Sequence, residues 1–172
     1  MSEPVREIHV EPEAKIEAVP MQAEAPLAWH RAQVKWLIWL QALLLACTAG
    51  NVLSGGIYHN PELARALYAG LPAMRIIDYA LAALLLAAAV LLVCARGRLK
   101  NFAPAGIKLL LAAYKLLAAA WIAYGAARFF AAGLSPLSIP LIGRCVGFAA
   151  LGLINRSYYR KRRSLFSKQA AG

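Results

Sequence analysis

Residues 76–95 read IIDYALAALLLAAAVLLVCA, twenty residues with a single charge, Asp78. A helix of that length rises about 1.5 Å per residue and reaches about 30 Å, the thickness of a bilayer's hydrocarbon core. Three further apolar stretches share this character, at 34–53, 107–129 and 141–159. Together they predict an all-α, integral membrane four-helix bundle with short loops. A soluble domain of 172 residues would not normally be 61% hydrophobic and only 16% charged. The four spans and their connections use nearly all the chain after Pro26, so one membrane domain is expected and no sizeable soluble one.

Outside the spans, charge is sharply divided. Residues 1–25 carry six glutamates against Arg6 and Lys15, whereas the remainder carries 17 bases against only Glu62 and Asp78. Pro4, Pro12, Pro20 and Pro26 punctuate the acidic part, which has too few large apolar residues to bury a core. Residues 1–33 therefore read as a disordered cytoplasmic tail. An acidic start with a late apolar run does not read as a signal peptide.

The bases also set an orientation. Arg31 and Lys35, the 96–108 connection and the C-terminal segment put twelve on one side, against Arg65, Arg75, Arg128 and Arg144 on the other. The positive-inside rule places both termini in the cytoplasm. On that side YYRKRRSLF offers Tyr158, Tyr159, Arg160, Lys161, Arg162 and Arg163 to anionic lipid headgroups, with Leu165 and Phe166 dipping into the interface. Because the bases flank membrane spans, lipid is the expected partner and nucleic acid is not.

Within the spans, small residues recur every four positions: Ala42, Ala46, Gly50 and Ser54 in the first, Ala119, Ala123 and Ala127 in the third, and the pair Gly143 and Gly147 in the fourth. Such stripes let helices approach closely, within one chain or between a homo-oligomer or membrane protein partner. Gln41, Asn51 and Lys115 are candidates for a polar bundle interior. Asp78 is expected to form an intramembrane ion pair with Arg144 or, second, with Arg128, because an unpaired charge in lipid costs about 3 kcal/mol on insertion scales. Lys115 starts too far from Asp78 for contact. Asn60-Pro61-Glu62 predicts a short surface helix after the first span, from a capping amide, a proline at the first position and an acid near the positive end.

No catalytic residue, cofactor or metal site is expected. Cys47, Cys94 and Cys145 form no C-x-x-C pair and read as packing residues; His9, His30 and His59 fall outside the spans. No nucleophile–base set lies within a span. The closing NRSYYRKRRSLF and the middle RGRLKNFAPAGIKLL resemble segments of small bacterial four-span inner-membrane proteins of unknown function. That resemblance covers roughly 36–166, leaves out the acidic tail and implies no activity. The expected role is a non-catalytic scaffold or accessory subunit of a bacterial inner membrane. A small transporter or channel subunit using Asp78, Lys115 and Arg144 is the alternative.

Overall fold

The computed structural model describes residues 27–133 and 139–168, and within them the regular structure is helical, with no strand. Helix α1 runs Ala28–Leu53, α2 Pro61–Gly70, α3 Pro72–Lys100, α4 Pro104–Ala132, α5 Ile139–Arg160 and α6 Arg163–Lys168. Three of these, α1, α3 and α4, are long and apolar enough to cross a membrane. Most of the expected N-terminal tail lies outside the described residues. Its last part does not stay a tail, because α1 already begins at Ala28.

The helices outrun the apolar stretches at nearly every end. Pro72 and Pro104 each occupy the first turn, where a missing N–H costs nothing. Arg98 and Lys100 sit in the last turn of α3, beyond the expected span end at Ala95, where bases suit the negative end of a helix. At the α3–α4 turn Phe102 takes a left-handed φ of 51°, the usual way to close a helix although Phe is costly there. Gly106 then lets the two helices touch: a Cβ there would stand 2.7 Å from the Leu99 backbone nitrogen. At the far end α4 stops at Gly133, φ 63°.

The core lies between α1, α3 and α4. Ile38, Ala42, Leu45, Ala49 and Val52 of α1 meet Leu81, Leu85, Ala88 and Leu92 of α3 and Leu110, Ala113, Leu117 and Ala120 of α4, all buried. These positions alternate steps of three and four. A strict step of four advances about 40° per repeat around a helix of 3.6 residues per turn. The expected stripe on α1 therefore winds away from the interface: Ala42 is buried, but Ala46, Gly50 and Ser54 are exposed. In α4, Ala119 and Ala123 are also exposed and Ala127 is half-buried. Cys47 and Cys94 also face outward rather than packing.

Helix α5 packs mainly along α4 and reaches α1 at its Asn155–Tyr159 end. Gly143 and Gly147 on it would meet nothing within 4 Å if given a Cβ. Near residues 33–37 α1 widens into a π-turn, and the Val34 carbonyl there accepts a 2.8 Å bond from Arg96 Nε of α3. Such widened turns loosen the backbone ladder.

Candidate functional site

The end of the molecule that carries α2 is built around Asp78. Asn60 caps α2 as expected, accepting from the Glu62 and Leu63 N–H groups at 2.8 and 3.3 Å. One turn after buried Ala64, Tyr68 faces inward. Its hydroxyl donates to Asp78 Oδ2 at 2.7 Å, Tyr58 donates to the same oxygen at 2.8 Å, and Tyr124 of α4 donates to Oδ1 at 2.9 Å. Asp78 is fully buried. Three phenols from a turn, a short helix and a long helix thus close over both carboxyl oxygens.

Neither expected ion pair forms. Arg144 is exposed, its guanidinium 4.3 Å from the centre of the Trp121 ring. Arg128 comes closer to the acid, yet it stacks at 5.4 and 5.3 Å on the rings of Tyr58 and Tyr124 rather than reaching it. The phenols stand between: each aims its hydroxyl at the acid and two offer a ring face to the base. Hydrogen bonds to a charged acceptor and cation–π contact supply what a direct pair would have supplied, without two desolvated charges in contact.

The setting changes the donors. Burial, and then the hydrogen bond to Asp78, push the Tyr58 hydroxyl from its ordinary 10.0 up to about 12. Tyr68 moves the same way for the same reasons in the same order. A folded-state value above the unfolded one contributes stability that is complete below pH 10 and is lost as the pH rises through 12. Thermal stability is therefore expected to fall across that window as tyrosinate absorbance grows. The double change Tyr58→Phe, Tyr68→Phe should flatten the fall; an equally steep fall would place the alkaline sensitivity elsewhere.

At the opposite end, a second polar cluster ties the first long helix to the last. Asn155 Oδ1 on α5 accepts from Trp29 Nε1 at 3.2 Å and from Gln33 Nε2 at 3.0 Å. Asn155 Nδ2 donates to the Leu151 carbonyl at 2.9 Å. His30 Nδ1 lies 3.2 Å from the Tyr159 hydroxyl, and the His30 N–H donates to Tyr158 at 3.3 Å. Phe102 and Phe166 enclose the imidazole, their ring centres 4.9 and 5.6 Å away.

This cluster corrects the reading of the C-terminal segment as wholly lipid-facing. Tyr159 and Phe166 are 1% exposed. After α5 the chain turns, and α6 returns Phe166 against His30 and Tyr159. Tyr158 and Arg162 are half-buried, with the Arg162 guanidinium 4.0 Å above the Tyr158 ring. Arg160, Lys161 and Arg163 remain exposed.

The remaining polar residues do not gather in one interior. Gln41 is half-buried and accepts from Tyr114 at 2.9 Å. Asn51 is exposed, its carboxamide filling the space that a Cβ on Gly56 would need. Lys115 points outward beside the α4–α5 groove. Of the residues expected to form the ion pair or a polar interior, then, only Asp78 and Arg128 share a cluster. No protein-family model, curated protein or solved structure matches the chain.

Proposed function

We propose that the chain is a non-catalytic, four-span protein of a bacterial inner membrane, with both termini cytoplasmic, serving as a scaffold or accessory subunit. Helix α5 is taken as the fourth span: its 22 residues reach about 33 Å, enough for the hydrocarbon core. The observation that carries the role is the set of small residues left unused on the outer faces. A Cβ added at Gly50, Gly143 or Gly147 would meet nothing within 4 Å among the described residues. Bare backbone at these points suits close approach by another membrane helix, from a second copy or a different protein. Arg160, Lys161 and Arg163, all exposed, add attraction to anionic headgroups on the cytoplasmic side.

Transport draws less support. A path would need Asp78, Lys115 and Arg144 to border one space, but Asp78 is closed by phenols while Lys115 and Arg144 lie on outer faces.

Purification of tagged protein from its native membrane, alongside a differently tagged second copy, tests the scaffold role. A membrane protein or the second copy is expected to co-purify, and to be lost in the Gly143→Leu, Gly147→Leu variant. Equal recovery with native and variant protein would remove α5 as the contact. A reporter fused at Gly172 that is active only outside the cell would overturn the orientation.

A further inference from the structure

We propose that the outer groove between α4 and α5 is a specific seat for one anionic phospholipid, its headgroup held by Lys115 and Arg156 and an acyl chain lying along the groove. The proposal rests on reading α4 and α5 as membrane spans. The groove has a volume of about 520 Å³, within the ~300–1,000 Å³ range of ligand pockets. Its walls are apolar, including Ala118, Phe148, Gly152 and Leu153, and its only cationic lining residues are Lys115 and Arg156.

Helix register puts the two cations where a phosphate would sit. A Cβ on Gly152 would stand 3.5 Å from the Cβ of Tyr114, so these positions share a level. Lys115 is the next residue of α4. Arg156 lies about 6 Å further along α5 toward the α6 end, one turn on. Helix α4 has 29 residues, about 43 Å, and overhangs a ~30 Å core by about 6 Å at each end. Lys115 begins about 16 Å from the helix start, and so roughly 10 Å beneath the hydrocarbon boundary. Its stem can carry the ammonium back toward the headgroups, where Arg156 stands.

The charge requires an answer. Lys115 and Arg156 are both exposed, and among the described residues neither has a hydrogen bond, ion pair or ring contact. The acids among those residues are only Glu62, on α2 at the other end, and Asp78, already closed by three tyrosines. A lysine facing lipid at that depth is costly unless its ammonium meets an anion or water. An anionic headgroup above the groove offsets that cost, and the groove beneath it takes the chain. A zwitterionic headgroup supplies no net charge for the two bases.

The test uses full-length protein in a non-ionic detergent, with phosphatidylglycerol and phosphatidylcholine of matched acyl chains as probes. Retained lipid is read by native mass spectrometry and stability by thermal unfolding. Phosphatidylglycerol is expected to be retained and to raise the unfolding temperature, and phosphatidylcholine to do neither. Lys115→Gln with Arg156→Gln should weaken retention roughly thirty-fold, each base acting as one near-surface cation on anionic lipid. Because both side chains are exposed and have no partners among the described residues, this variant should fold as the native chain does. Arg65→Gln with Arg98→Gln, exposed bases outside the groove, should leave retention intact.

Equal retention of the two lipids overturns the proposal. So does full retention by the Lys115/Arg156 variant, or an equal loss in the Arg65/Arg98 variant. Alkaline extraction of membranes separates the site from the topology: protein that stays in the pellet yet shows no lipid preference removes the seat and leaves the spans standing.

Discussion

Asp78→Asn is expected to destabilise the protein by about 3 kcal/mol. Three tyrosine hydroxyls donate to this one acid. Hydrogen bonds to a charged group contribute about 1.5–3 kcal/mol each, against about 0.5–1.5 for neutral ones, so loss of charge costs about 1 kcal/mol per bond. The asparagine also turns one acceptor into a donor, which faces phenols that donate too. Tyr124 is 4% exposed and has no access to replacement water, so its share is the hardest to recover.

Titration with denaturing detergent measures the effect, and a double-mutant cycle with Tyr124→Phe should show a coupling of about 1–3 kcal/mol. The exchange Asp78→Arg with Arg144→Asp should restore nothing, because Arg144 answers to the Trp121 ring and not to Asp78. Restoration by that exchange would mean that the acid and Arg144 are partners after all. A silent Asp78→Asn would mean that the phenols do not depend on its charge.

Asn155→Ala is expected to cost about 2–4 kcal/mol, and to act mainly on the first turns of α1. Gln33 is fully buried, and its Oε1 already lacks a partner among the described residues. Removing Asn155 strands the other end of the same amide as well as the Trp29 indole N–H. A buried unsatisfied group costs about 1–3 kcal/mol. Hydrogen exchange should show faster opening over 28–37 and little change in α3. Gln33→Leu combined with Asn155→Leu should recover part of the loss, since apolar replacement of both amides removes the stranded carboxamide and leaves only the Trp29 indole N–H without its acceptor. If the double variant is worse than Asn155→Ala, packing rather than polar satisfaction governs this junction.

The apolar spans were legible because periodicity was not needed: length and the near absence of charge were enough for α1, α3 and α4. Helix α5 is harder to read. Arg144, Asn155 and Arg156 dilute its hydropathy, and its contacts with α4 do not show in its own composition. Asp78 stood out as the lone acid of the apolar body. Its partners did not, because an acid in lipid first directs attention to bases and not to phenols. One sign was available: Tyr68 follows Ala64 by four residues in a helix that Asn60 starts, so an inward Ala64 carries Tyr68 with it. Likewise Trp29 and Gln33 are four apart and share a face with His30. They were assigned to the tail because the apolar run begins only at Val34. Tyr159 and Phe166 looked like interface aromatics, and nothing local to them signals that α6 folds back over His30.

The Asn155 junction also carries a constraint on timing. Trp29 and Asn155 are separated by 126 positions, so the first long helix is made well before the residue that satisfies it. The hairpin of α3 and α4, joined by a turn of a few residues, has only short loops to close and can form early. Gln33 must wait in or near the bilayer until α5 arrives. A chain stopped before residue 139 keeps its apolar helices but leaves that carboxamide stranded. Completion of the protein is thus registered by one hydrogen-bonded amide pair, and shortened chains should be the ones that membrane quality control removes first.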